Sequence, residues 1–533
     1  MTWLRSPLAQ IAAHPRWCAL VLGIISATGF EPLHLWPLTL LAVAGLIELI
    51  ARAPGWKQAA LTGWLFGVGH FALGNNWIAT AFTYQAEMPA WLGWVAVVGL
   101  AMFLAIYPAL AAFGAWFFRV RPPALVLSFA GLWIVTEWLR SWVFTGFAWN
   151  PLGVTLLGDF DARGLAFLAQ WSGTYALSGV VVLLAAALRK VSQILAQLAG
   201  WPRRTAASGL IGAAGAVALL MLVPFGMQGG VGAIPFTLVQ PDIRQSELTN
   251  PAGFEKQFSK TASLTLPRHP GERRLVLWPE SGIPDYLRSG YPLYFYQDTT
   301  YAADPGLARA RIARVIGPGS VLLTGAVDLE MRRDSIAGAR NAVTVLDDKG
   351  QIRASYAKAH LVPGGEYLPL RPLLEPLGAT RLVAGSIDFW PGPGPRTLNL
   401  GPWGKAGVQI CYEIVFSGQV VDRAHRPDYI FNPSNDGWFG SWGPPQHLAQ
   451  ARLRAIEEGL PVLRATTTGI SAVIDADGIV RQHLARLTAG RLDGMVPPAH
   501  APTLFARLGN VLPLGWALVL LALSLVASRR RRS

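Results

Sequence analysis

Three short stretches carry residue types that could do covalent chemistry. "GVQICYEI" holds Cys411, one of only two cysteines in 533 residues, two positions before Glu413. "RRLVLWPESGIP" holds Glu280 just beyond a short apolar run and beside Trp278, and "IRASYAKAHLVP" holds Lys358. Acyl transfer through a thiol needs a thiolate, a base to make it and a positive charge where a carbonyl oxygen becomes an oxyanion. A glutamate beside an apolar tryptophan has its proton affinity raised towards that of a base, and a lysine beside a thiol favours the thiolate. Singly, each residue has an ordinary structural reading: an ion-paired glutamate, a solvated strand lysine, a buried core thiol. The combination is what carries the chemistry.

Other chemistries find less support. Two cysteines make no cysteine-based zinc site, and the nine histidines show no H-E-x-x-H or other close ligand spacing, so no metal is expected. No G-x-S-x-G elbow and no phosphate-binding glycine loop occurs, which argues against a serine hydrolase and a nucleotide-dependent enzyme; no cofactor is expected. His360 and His447 are alternative bases for Cys411 in a papain-like arrangement.

The elements that position these groups divide unevenly. Hydrophobic residues make up 52% of the chain and charged residues 14%, a balance that indicates a membrane protein. Apolar runs near the ~20 residues needed to cross a bilayer fall at 16–30, 34–50, 58–80, 90–118, 124–143, 165–188, 206–227 and 510–527. The expected organisation is a seven-helix membrane domain over 1–230, an extramembrane domain over 231–505, and an eighth helix with a basic tail over 506–533. Lys and Arg cluster in alternate loops (Arg5 and Arg16; Arg52 and Lys57; Arg119 and Arg121; Arg189, Lys190, Arg203 and Arg204) and after the last run. That asymmetry puts both termini in the cytoplasm and the large domain outside, in the periplasm of a Gram-negative cell. The net charge of +14 is then partly a topology signal rather than a nucleic-acid footprint. Cys18 falls in the first run, reads as a small hydrophobe, and is badly placed for a disulfide with Cys411. His70, Asn75, Asn76, Glu137 and Arg140 are costly within the runs; structural pairing or placement near the outer interface is favoured over a conduction path, and Glu137 and Arg140 are spaced to pair on one helix face.

Within the outer domain, strands alternate with helices. "NAVTVLDDKGQIRASYAK" reads as a hairpin turning at 347–350, "GISAVIDADGIVRQHL" as a second turning at 475–478, and "GKAGVQICYEI" as a strand ending at Cys411. The pattern suggests a layered α/β sandwich. The aromatic segment 286–301, "YLRSGYPLYFYQDTTY", is too polar to span and suggests either a lid or a packed loop.

Four ordered motifs, "WPES", "YAKAHLVPGGEYLP", "GVQICYE" and "NPSNDGWFG", resemble those of the nitrilase superfamily. With the topology, the chain is similar over nearly its whole length to the superfamily's membrane-embedded branch, the apolipoprotein N-acyltransferases. The resemblance implies a polytopic α-helical membrane domain plus an α/β nitrilase-like four-layer (αββα) sandwich in the bacterial inner membrane. It implies Glu280 as general base, Lys358 as stabiliser of the tetrahedral intermediate and Cys411 as nucleophile, with Glu366, Tyr412 and Glu413 supporting the site or binding substrate. The implied reaction is ping-pong: a phospholipid, phosphatidylethanolamine foremost, acylates Cys411, and the amine of a diacylglyceryl-cysteine apolipoprotein takes the chain. A membrane-tethered amidohydrolase and a non-catalytic envelope assembly factor are the alternatives. The sequence departs from the family pattern at Pro241 and at Leu248-Thr249, where a basic-aromatic pair is usual, at Thr467-Thr468, where asparagines are, and at Phe505, where a tyrosine is common.

Overall fold

The computed structural model describes residues 14–84, 89–197, 215, 217–222, 230–248, 250–333, 335–374, 376 and 388–529. The chain forms two compact units: Met1–Ile78, Trp94–Phe225 and Leu504–Ser533 make the first, and Ala79–Gly93 with Gly226–Thr503 the second. The sequence reading does not anticipate that Ala79–Gly93, between two apolar runs, groups with the second.

The first unit is helical. Among the described residues, three stretches are long and apolar enough to cross a bilayer: Leu92–Trp116, Pro122–Arg140 and Val511–Arg529. The first of these is two helices, Leu92–Leu104 and Ile106–Trp116, meeting at Ala105. Helices Pro15–Ala27, Trp36–Arg52, Trp56–Gly74 and Thr174–Gln197 lie over other expected spans; most of the run at 206–227 lies outside the described residues. Helices Pro15–Ala27 and Trp56–Gly74 approach so closely that a Cβ on Gly23 would meet the Phe66 carbonyl oxygen at 2.0 Å and one on Gly69 the Leu20 oxygen at 2.3 Å. Small residues at a helix contact are how apolar helices pack where lipid is no worse a neighbour than leucine.

His70, Glu137 and Arg140 inside this unit are paired, whereas the buried Asn75 Oδ1 has no hydrogen-bond partner among the described residues. The His70 Nδ1 meets the Ser26 hydroxyl at 2.6 Å. Glu137 accepts the Leu152 N–H at 2.8 Å and the Ser178 hydroxyl. Arg140 donates to the Trp149 carbonyl at 2.8 Å and lies 3.8 Å from Glu137, so the Glu137–Arg140 pair forms but is not the main contact of either residue.

The second unit is built on twelve described strands: β1 Pro235–Gln240, β2 Leu275–Leu277, β3 Val321–Arg332, β4 Ser335–Asp347, β5 Ile352–Ala357, β6 Thr397–Asn399, β7 Lys405–Val408, β8 Tyr429–Ser434, β9 Val462–Thr466, β10 Ser471–Ile474, β11 Val480–Leu484 and β12 Gly490–Met495. One sheet runs β12-β1-β2-β3-β4-β5 and the other β11-β10-β9-β8-β7-β6. Each has three parallel central strands, β1–β3 and β7–β9, with antiparallel flanks. Strands buried on both faces should read as continuous apolar runs, as Leu275–Leu277 does. Both expected hairpins form, β4–β5 and β10–β11. The strand expected to end at Cys411 stops at Val408, and Cys411 opens a short 3₁₀ turn, Cys411–Val415.

Helices Phe254–Thr265 and Pro305–Ile316 pack on the first sheet, closing a core of Val239, Val276, Trp278, Ile312, Leu322 and Leu346. Helix Gly443–Glu458 packs on β9 of the second, giving helices outside two sheets: the nitrilase-like sandwich. Gln240, fully buried, stitches the layers. Its carbonyl accepts from the Thr466 hydroxyl at 2.9 Å and the Ser471 N–H at 3.0 Å, and its amide donates to the Ala485 and Thr488 carbonyls, both at 2.8 Å. Gln240→Ala removes those four hydrogen bonds and should cost about 3 kcal/mol, read as a lowered melting temperature of the detergent-solubilised protein; an unchanged transition would show that the sheets are joined otherwise.

Candidate active site

Strands β2, β5, β7 and β8 all end at one edge of the sandwich, and the chemistry-bearing residues follow those ends: Glu280 after β2, Lys358 after β5, Cys411 after β7, and Asn435 and Asp436 after β8. Backbone beyond the end of a strand no longer has a ladder partner, so it is free to turn and present side chains.

Lys358 is 1% exposed. Its ammonium lies 2.9 Å from Glu366 Oε2 and 3.5 Å from Glu280 Oε1. Burial alone would lower its pKa, but the Glu366 and Glu280 carboxylates outweigh that and hold it above the ordinary lysine range. The lysine is therefore a fixed cation. The two carboxylates are joined by Asn341 on β4, whose amide nitrogen donates to Glu280 Oε1 at 2.7 Å and to Glu366 Oε1 at 2.8 Å. Glu366 Oε2 also accepts the Val362 N–H at 2.8 Å, and Glu280 Oε2 accepts the Asn435 N–H at 2.8 Å. A carboxylate offers about four acceptor directions. Asn341, Lys358 and Asn435 use three on Glu280, which leaves capacity for one more proton.

Cys411 is buried at a non-glycine φ of +49°, in the left-handed region that costs about 1–2 kcal/mol for an ordinary residue. Ser281, next to Glu280, is at +55°. Strain of this kind persists only where the surroundings enforce it. Here Glu413 does part of the enforcing. Its Oε2 accepts the Ile410 N–H at 2.7 Å, while its Oε1 accepts the Tyr356 hydroxyl at 2.8 Å and the Ala359 and His360 N–H groups at 2.7 and 3.2 Å. One carboxyl thus clamps the end of β5, which carries Lys358, to the turn that carries Cys411. Burial pushes Glu413 up to about 7, against the pull of those hydrogen bonds and of Lys358. Tyr412 packs edge-on against Phe416, their ring centroids 5.1 Å apart.

The Cys411 thiol is held well above its ordinary value of 9.0, first by burial and then by Glu280, with Lys358 opposing. The resting group is the thiol, so its proton must leave as the sulfur reacts. The histidines are engaged elsewhere: His360 stacks on Phe416 at 4.3 Å, and the His447 Nε2 lies 3.0 Å from the Cys411 carbonyl oxygen. Among the described residues, no group of His, Cys, Asp and Glu could hold a metal.

All six sequence-nominated residues thus lie at the same strand ends. Asn341, Gln245 and Thr467 are functional candidates the sequence does not announce. Thr467 donates to Asn435 Oδ1 and Asn435 donates to Gln245 Oε1, both at 2.8 Å, bracing the residue whose N–H holds Glu280. Thr467 is one of the departures from the family pattern, and Gln245 lies in the departing turn after β1; Thr249 is outside the described residues. The 286–301 segment is pinned at its base, where Tyr301 N–H meets Asp285 Oδ1 at 2.8 Å, and at its middle, where the Tyr296 hydroxyl donates to the Arg288 carbonyl at 2.7 Å; Leu293 and Tyr294 stay exposed.

Residues 22–187 match the model of the apolipoprotein N-acyltransferase N-terminal domain, and 237–494 that of carbon-nitrogen hydrolases. The chain is 36% identical to an apolipoprotein N-acyltransferase of Bradyrhizobium diazoefficiens, over 96% of this chain and 94% of that one. It is 35% identical to that of Rhodopseudomonas palustris over 96% and 95%, and 30% identical to that of Haemophilus influenzae over 96% and 95%. The chain belongs to the apolipoprotein N-acyltransferase family. Membership covers both units, so the likeness noted from four motifs extends to the helical half that those motifs do not touch.

In this family member, Cys411 alkylation by iodoacetamide, read at its own peptide to separate it from Cys18, should keep rising with pH beyond 9.0. Lys358→Met removes the opposing cation and should move that rise to higher pH. A plateau below neutrality in the wild type would show a stabilised thiolate instead.

Proposed function

We propose that this chain is an N-acyltransferase that moves a fatty acyl chain from a membrane phospholipid to the N-terminal amine of a diacylglyceryl-cysteine apolipoprotein, by way of a thioester on Cys411. The observation that carries the reading is the convergence of Glu280, Lys358 and Cys411 in one buried site of a chain similar to these transferases from end to end.

Glu280 takes the Cys411 proton as the sulfur attacks the ester carbonyl of the donor, phosphatidylethanolamine in the first instance. The Lys358 ammonium stabilises the oxyanion. Collapse forms the thioester and expels the glyceryl alkoxide, which receives the proton from Glu280 and leaves as lysophospholipid. In the second half the neutral amine attacks the thioester, Glu280 accepts the nitrogen's proton, and the departing sulfur takes it back. Glu366 and Asn341 hold Lys358 and Glu280 in register, Glu413 holds the turn, and Tyr412 lines it.

Both substrates are lipids whose methylenes are each worth ~0.8 kcal/mol of burial, so a catalyst for them belongs on the membrane. The apolar helices supply that anchorage, and the Lys and Arg distribution supports a periplasmic catalytic unit with both termini in the cytoplasm. The exposed Leu293 and Tyr294 would give an entering acyl chain an apolar surface. The match of residues 22–187 to the transferase N-terminal domain favours this reading over a tethered amidohydrolase.

Intact mass measurement of solubilised protein given phosphatidylethanolamine should show an acyl increment that hydroxylamine removes and that Cys411→Ala lacks. A diacylglyceryl-cysteine peptide should then discharge it and emerge N-acylated. Discharge by water alone would turn the reading towards a hydrolase, and no adduct on folded protein would remove it. Asn341→Ala, which frees both carboxylates, should slow adduct formation by about 10–100-fold while the melting temperature falls only modestly.

A further inference from the structure

Cys411 has a second buried tether that does not pass through Glu413. The His447 Nε2 lies 3.0 Å from the Cys411 carbonyl oxygen, and a carbonyl can only accept, so that nitrogen carries the hydrogen. On the other side of the ring, Nδ1 lies 3.0 Å from Arg464 Nη2 and 3.0 Å from Asp436 Oδ1. Arg464 grips both oxygens of Asp436, at 2.9 and 2.7 Å, and also donates to the Ser434 hydroxyl at 3.0 Å and to Asn432. Burial and the Arg464 charge disfavour a second proton on His447, against the pull of Asp436 and of the Cys411 carbonyl; the hydrogen on Nε2 is fixed by that carbonyl, and Nδ1 is held by the Asp436–Arg464 pair. None of these side chains is more than 2% exposed. His447 stands on the buried helix Gly443–Glu458, with Phe439 edge-on to it at 5.7 Å.

Asp436 is bonded to Asn435, and Asn435 holds Glu280 Oε2 through its backbone N–H. Two consecutive residues therefore fix both partners of the proton transfer. Asn435 fixes the base through main chain, and Asp436 fixes the nucleophile's carbonyl through His447. We infer that His447, braced by Asp436 and Arg464, is a positioning residue that holds the left-handed turn at Cys411 and so sets the thiol's distance from Glu280. This assignment rests on the role proposed above for Cys411. It also explains why a fully buried imidazole so near the thiol is not its base: one nitrogen is spent on a carbonyl and the other on the Asp436–Arg464 pair.

The test uses full-length solubilised protein with phosphatidylethanolamine and two variants. His447→Gln keeps an N–H donor at a similar reach from the backbone; His447→Leu fills the space without one. The measurements are the rate of acyl-Cys411 formation, the donor concentration at half-maximal rate, the Cys411 alkylation rate and the melting temperature. His447→Leu should acylate at least about 30-fold more slowly with the half-maximal donor concentration unchanged, because a small misplacement of reacting groups costs rate rather than binding. His447→Gln should recover most of that loss. Leu and Gln variants equally slow at equal stability would overturn the inference, as would a folded Leu variant within about threefold of wild type. If His447→Leu does not fold, a folded His447→Gln decides alone: near-wild-type acylation supports the strut, and a rate as low as that of Cys411→Ala overturns it. If the wild type itself forms no adduct, the transferase reading fails, and the alkylation rates of Cys411 in the three proteins still decide whether His447 positions the thiol.

Discussion

One buried ammonium between two buried carboxylates is the constraint on which the rest of the catalytic unit depends. Lys358, Glu366 and Glu280 are withdrawn from water together, and none is tolerable there alone, since removing one partner of a buried ion pair strands the other. The cluster keeps a surplus negative charge, and hydrogen-bond donors answer it: the Asn341 amide between the carboxylates, the Val362 N–H on Glu366 and the Asn435 N–H on Glu280. Satisfying those demands fixes the register of β4 at Asn341 and where β5 and β8 must end. It also keeps the thiol protonated at rest, because a further negative charge beside Glu280 is unwelcome in so dry a place.

The sandwich meets this constraint by delivering its residues from both sheets. Glu280, Asn341 and Lys358 come from the first, and Cys411, Asn435 and Asp436 from the second, so the site exists only while the two sheets stay in register. Gln240 and Glu413 carry that registration with bonds that cross between the sheets, Gln240 from β1 to β9 and β10, Glu413 from the Cys411 turn to β5. The positive φ values at Ser281 and Cys411 are the local cost of the arrangement, met by buried hydrogen bonds around them.

Much of this was legible in the chain. Apolar run length announced the helical unit, because a bilayer imposes a minimum span on any helix that crosses it. Turn residues announced the two hairpins, and the residues nominated for chemistry stood out because strand-end motifs keep side-chain type and local geometry together in a few consecutive positions. The supporting residues were less visible for an equally physical reason. Asn341 sits within a strand whose pattern reads only as a hairpin, and its function depends on two glutamates that are distant in sequence. His447, legible only as a candidate base, faces a carbonyl that no side-chain pattern records. The break at Ala105 has a local cause, Pro108, which has no N–H to give the Leu104 carbonyl, whereas the grouping of Ala79–Gly93 with the catalytic unit is a matter of contacts between segments far apart in the chain.

The sequence by itself determined the division into an apolar helical part and an α/β part, and the residue types able to do acyl transfer, since both are written in local composition and spacing. Only the tertiary structure decided that Lys358 is a fixed cation, that Cys411 rests as a thiol, and that His447 serves a backbone carbonyl. Each of those is a matter of burial and of which partner lies within about 3 Å. Charge state and hydrogen-bond partnership belong to the folded neighbourhood, and residues from six separate strand ends and loops share this one.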